Sequence, residues 1–181
     1  MDMTQHEQVK ATITTLVTGA SKLKKLNITC DSLATMDPGL LASGFSVLDN
    51  FHLSCKELTD EQTKKIFTAI TVEDSKLVLL NLSGQIPLAS VEPQLLSRAF
   101  NRLYNLHLSC QPMTKQQMEE IFSAISSGDS KLKILVISSK IPLASVEPGL
   151  LARAAKKMES LHMYSARLTT EQGEAILEQS F

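Results

Sequence analysis

The sequence predicts an α/β solenoid: one curved sheet of six parallel strands on the concave side, with the connecting helices on the convex side. Three observations carry that prediction. Six short segments obey one apolar-x-x-apolar-x-apolar pattern: "LKKLNI" at 23–28, "LDNFHL" at 48–53, "LVLLNL" at 77–82, "LYNLHL" at 103–108, "LKILVI" at 132–137 and "MESLHM" at 158–163. Their first residues are 25, 29, 26, 29 and 26 positions apart, so two unit types alternate and the true period is about 55 residues. Finally, "IPLASVEPQLLSRA" at 86–99 and "IPLASVEPGLLARA" at 141–154 differ at only two places, which marks duplication of a two-unit segment.

Each element follows from local chemistry. The chain opens with "TQHE" at 4–7, a threonine three residues before a glutamate. This is the capping-box arrangement, in which each side chain satisfies a backbone N–H that the first helical turn leaves free. The same start recurs as "TDEQ" at 59–62, "TKQQ" at 114–117 and "TTEQ" at 169–172. Apolar residues then follow at helical spacing, Ile66, Phe67 and Ile70 in one copy and Ile121, Phe122 and Ile125 in the next. The alternate helices start at "TMDP" (35–38) and "SVEP" (90–93 and 145–148), where proline in the first turn forfeits no hydrogen bond. Neighbouring strands sit about 4.8 Å apart, whereas packed helices need about 8–10 Å, so the stack must curve with the strands inside. The whole chain, 1–181, is expected to form one such domain, an excerpt of a longer array.

These motifs resemble the ribonuclease-inhibitor-type leucine-rich repeats found in the C-terminal sensor regions of NOD-like receptors and in related intracellular proteins. The resemblance spans essentially the whole chain. It implies a cytoplasmic protein-recognition module of innate immunity that senses a protein ligand, without enzymatic activity. Where many such repeats carry a buried Asn or Cys, this chain has Asp31, Lys56, Gln85, Gln111, Lys140 and Ala166, so no regular side-chain ladder is expected in the loops after the strands. With few cysteines and no strong acidity, ribonuclease inhibition is not implied.

Composition narrows the partner. Eighteen basic and nineteen acidic residues give a net charge of −1, which leaves no broad field to attract nucleic acid or an anionic membrane. No apolar run approaches the roughly 20 residues of a membrane span. Cys30, Cys55 and Cys110 lack Cys-x-x-Cys spacing and are read as reduced loop thiols. Cys30 and Cys55, in neighbouring units, are near enough in this reading to form a bond. His52, His107 and His162 recur at one repeat position. Same-type strands are two apart, about 9–10 Å, too far to share one ion at about 2 Å per ligand, so neither metal nor cofactor is expected.

Function is expected on the residues between the inward apolar positions, since side chains alternate across a strand. The outer strands present polar and charged groups there. The middle three present Val78, Leu79, Tyr104, Ile134 and Val136, with His107 among them. That apolar and aromatic island, centred on Tyr104 and rimmed by polar groups, is the expected protein-binding site. End-to-end self-association through terminal repeats is a further expected contact. Two other readings stand beside recognition: a regulator resembling the Ran GTPase-activating repeat proteins, and a structural or engineered array with no ligand of its own.

Overall fold

A computed structural model describes residues 5–110, 112–138, 143–164 and 168–178, and only the backbone of Gln5, His6 and Ser32. Helices and strands alternate along it: α1 (Gln5–Val17), β1 (Lys25–Ser32), α2 (Pro38–Val47), β2 (Asn50–Glu57), α3 (Asp60–Thr71), β3 (Leu79–Gly84), α4 (Pro93–Arg102), β4 (Asn105–Ser109), α5 (Lys115–Ser126), β5 (Ile134–Ile137), α6 (Pro148–Lys157), β6 (Ser160–Met163) and α7 (Thr170–Glu178). The six strands form one open parallel sheet in sequence order, β1 to β6. Consecutive helices pack on one another in the same order, giving a second layer and a solenoid-like arc with one sheet face left open.

The strands begin two residues later than the apolar pattern suggests. Lys24, Asp49, Val78, Tyr104 and Lys133 precede β1 to β5, and each uses its carbonyl to accept two successive N–H groups from the next unit. Tyr104 N and Asn105 N, for example, reach Val78 O at 2.9 and 3.1 Å, and Lys133 N and Ile134 N reach Tyr104 O at 3.0 and 3.1 Å. Two successive N–H groups converge on one oxygen only where the chain bends. These residues therefore stand outside the strand alternation, along the rim where the strands start.

Within the strands alternation is regular. Phe51, Leu80, Leu106 and Leu135 are in register and buried, as are Leu53, Leu82, Leu108 and Ile137. They meet Phe67, Phe100 and Phe122 from the helices in one continuous core. Phe45 packs edge-on against Phe51, with ring centroids 4.1 Å apart. At the two ends of the sheet Leu26 and Leu161 occupy the same register yet remain half-buried. The third inward position holds small residues, Cys30, Cys55 and Cys110, all free and buried, with Gly84 opposite Cys55. Gly84 has φ +115°, and a Cβ there would collide with the Cys55 carbonyl oxygen.

Cys30 and Cys55 thus lie within β1 and β2 facing inward rather than in loops, and Cys110 directly follows β4. Cys30 and Cys55 are direct register partners. Burial and the neighbouring Cys55 raise the Cys30 thiol to about 12, and burial raises Cys110 to about 12, so at neutral pH neither is a thiolate nucleophile.

The capping boxes form at Thr59, Thr114 and Thr169, and their glutamines do more than cap. Gln117 Oε1 accepts from Thr114 N at 2.9 Å, while its Nε2 donates to Leu88 O at 2.8 Å and Val91 O at 2.6 Å in the preceding unit. Gln62 reaches Leu33 O and Met36 O at 2.6 and 2.8 Å. Gln172 reaches Leu143 O and Val146 O at 2.7 and 2.8 Å. All three side chains are buried. Buried side chains therefore do tie the loops after β1, β3 and β5, but they come from the helix of the next unit, α3, α5 or α7, and not from the loop positions where the sequence offered no reason to expect a ladder. Of the six loop positions named above, Gln111, Lys140 and Ala166 lie outside the described residues.

Two predictions follow from buried polar geometry. Gln117→Leu removes one acceptor and two donors and leaves buried backbone groups unpaired, at about 1–3 kcal/mol for each such group; the midpoint of urea unfolding should fall accordingly. Gln117→Glu aims a carboxylate at two carbonyl oxygens, which disfavours its charged form and raises its pKa above the ordinary value of about 4.3. Its deficit relative to wild type should therefore shrink as pH falls toward 4 and grow as pH rises, measured by the same unfolding curves. A deficit independent of pH would contradict the assigned geometry. Gly84→Ala should lose several kcal/mol or fail to fold, because steric overlap adds to the cost of positive φ for a residue with Cβ, about 1–2 kcal/mol.

Candidate functional site on the open sheet face

The open face is paved by three rows, each one residue deep across the strands. Row one is Lys25, Asn50, Leu79, Asn105, Ile134 and Ser160. Row two is Asn27, His52, Asn81, His107, Val136 and His162. In row three Thr29, Ser54, Ser83 and Ser109 are in register. Ser138 and Tyr164 continue it, bonding through their N–H groups to Leu108 O and Ile137 O at 2.8 Å each. Every member of row three carries a hydroxyl. The sequence pattern ended each strand one alternation too early to find it, although the hydroxyl at the residue after each signature was legible.

The structure brings the six expected binding residues together on β3–β5, in three tiers. Val78 and Tyr104 are neighbours on the rim, 47% and 42% exposed. Leu79 and Ile134 lie in row one, half-buried, on either side of Asn105. His107 and Val136 are direct partners in row two. Tyr104 is therefore the edge of the patch and not its centre. Its hydroxyl reaches across the Lys133 strand and donates to Glu159 Oε2 at 2.8 Å. That bond, above all, raises the Tyr104 pKa and keeps the phenol protonated. Asn105 interrupts the apolar tier, and its Oδ1 is buried with no hydrogen-bond partner among the described residues. An unpaired buried acceptor costs about 1–3 kcal/mol.

The histidines alternate with uncharged residues: Asn81 separates His52 from His107, and Val136 separates His107 from His162. No cluster of three or more His, Cys, Asp or Glu capable of holding a metal occurs among the described residues. Burial lowers the His107 pKa, and the nearby His52 and His162 lower it further. His162 stacks on Tyr164, centroids 6.1 Å apart and planes 8° from parallel.

A separate cleft of about 490 Å³ opens at the outer end of the sheet, between α6, β6 and α7, with Met158, Leu161 and Ile176 in its lining. It shares none of the six expected residues. No helix is long and apolar enough to cross a membrane among the described residues. The chain matches no protein-family model, no curated protein sequence and no solved structure.

The lowered His107 pKa has a definite sign in stability. The unfolded chain takes up this proton near the ordinary histidine value, about 6.5, more readily than the folded one. Folding is therefore penalised as pH falls through about 6.5, and the penalty stops growing once the folded-state pKa has also been passed. His107→Gln should lose less stability than wild type between pH 7.5 and 5.5, measured by urea unfolding at both values. An equal loss in the two proteins would contradict the assignment.

Proposed function

We propose that this chain is a leucine-rich-repeat recognition module that takes a protein partner on its open sheet face. In this reading it resembles the ligand-sensing region of NOD-like innate immune receptors, works in the cytoplasm and catalyses no reaction. The observation that carries the proposal is the patch on β3–β5. An exposed aromatic and an exposed valine stand on the rim beside half-buried Leu79, Ile134 and Val136, on a sheet face that no helix covers. Binding surfaces concentrate their energy in such aromatic and aliphatic anchors surrounded by polar groups. The hydrogen bond to Glu159 holds Tyr104 in one place, so a partner meets an ordered ring and loses less entropy on binding it. Coincidence of the six apolar-x-x-apolar-x-apolar segments with six parallel strands supports the repeat class.

Affinity for a partner captured with the wild-type chain provides the test. Tyr104→Ala and Ile134→Asp should each weaken binding by about 2 kcal/mol or more, roughly 30-fold. The melting temperature should barely change, since neither side chain belongs to the buried core. Lys25→Ala, at the far end of row one, should bind as wild type does. Unchanged affinity in both patch variants would move the site off this patch.

A further inference from the structure

The three rows of the open face contain no carboxylate among the described residues. Their ionisable groups are Lys25, His52, His107, His162 and Tyr164. The acidic groups at the margins are engaged elsewhere. On the rim Asp49 pairs with Lys24 at 3.5 Å and Glu159 accepts from Tyr104, with Lys133 lying between Tyr104 and Glu159 in rim order. At the far ends of β1 and β2, Asp31 pairs with Lys56 at 2.6 Å, and Glu57 closes β2. The three rows thus hold no acid of their own that could neutralise a histidine carrying a proton.

The spacing of those histidines selects a ligand shape. His52, His107 and His162 sit on alternate strands, so successive imidazoles are about 9–10 Å apart. An ordinary extended strand cannot match this, because its same-side residues recur at about 6.7 Å or 13 Å. A polyproline II segment has three residues per turn and a rise of about 3.1 Å, which brings every third side chain to the same side about 9.3 Å further on. Imidazolium N–H groups donate well to carboxylates.

We propose that the open face binds a polyproline II segment bearing an acidic residue at every third position, and that this binding switches on as His52, His107 and His162 take up protons. The proposal rests on the assignment of the open face as the recognition surface and adds the chemistry of the partner and its regulation. Histidines on alternate strands, His52 and His107 half-buried and His162 exposed, give each carboxylate one donor, and the hydroxyls of row three flank the ligand backbone with uncharged hydrogen-bonding groups.

Two synthetic nonapeptides of equal charge and composition provide the test, one reading Asp-Pro-Pro three times and the other carrying its three Asp residues together before six Pro. Both stay ionised at pH 5.5, since aspartate titrates near 3.9. Titration calorimetry with the full chain should show the spaced peptide binding about tenfold tighter at pH 5.5 than at pH 7.5, and about tenfold tighter than the clustered peptide at pH 5.5, as a few simultaneous ion pairs require. The triple variant His52→Gln, His107→Gln, His162→Gln should lose both differences while keeping its circular dichroism spectrum. Equal binding of the two peptides, or a triple variant that still prefers the spaced one at pH 5.5, would overturn the proposal. If the triple variant fails to fold, His107→Gln alone is read the same way, because losing the central donor should remove most of the preference. Tyr104→Ala should leave peptide binding intact. Failure of the rim patch as a protein site and failure of the histidine strip are therefore separate results.

Discussion

Gln62, Gln117 and Gln172 hold the open face in shape from behind it. Each is a buried amide bonded to backbone: the oxygen closes its own helix start, and the nitrogen binds two carbonyls in the loop of the preceding unit. Those carbonyls bracket the short turn that carries the chain from an odd-numbered strand to its helix. Left unpaired in a dry interior, each would cost more than an ordinary hydrogen bond contributes. The turn therefore cannot relax independently of the helix in the next unit, α3, α5 or α7. Each lock thus joins one unit to its neighbour, which helps to hold adjacent strands in register and the rows in alignment.

The duplication preserved this lock more strictly than it preserved the helix starts beside it. Glu92 and Glu147 occupy equivalent places in "SVEP". Glu147 caps its own helix, accepting from Gly149 N and Leu150 N at 2.9 and 2.6 Å. Glu92 makes no such cap and instead pairs with Lys64 of α3 at 3.2 Å. An exposed cap and an exposed ion pair are each worth on the order of 1 kcal/mol or less, so either solution serves. A buried amide with three partners has no comparable substitute.

Uniform construction frees the open face to vary. The rows lie outside the buried core that the inward residues form with the helices. Leu79, Asn105 and Ile134 can thus share one row, and Asn81, His107 and Val136 another, without altering the strands that carry them. The same arrangement places an apolar and aromatic patch on β3–β5, meeting the rim at Val78 and Tyr104, and a histidine strip on β2, β4 and β6 that crosses it at His107.

Periodicity in the sequence determined the elements. Leucine, phenylalanine and isoleucine at strand spacing, threonine and glutamine three apart, and proline at the first helical turn act within a few residues of one another, so local chemistry alone specified six strands, their parallel order and the helix starts. It also determined which residues face outward within each strand, since alternation is a property of the extended backbone. What only the tertiary structure decided lies between units. The second function of the glutamines depends on carbonyls 26 and 29 residues away, which no local pattern reveals. The bend that puts Val78 and Tyr104 on the rim exists because two N–H groups of one unit converge on one oxygen of its neighbour. The bond from Tyr104 to Glu159 spans 55 residues. In each case the deciding partner comes from another turn of the solenoid, and stacking the units is what brings it within reach.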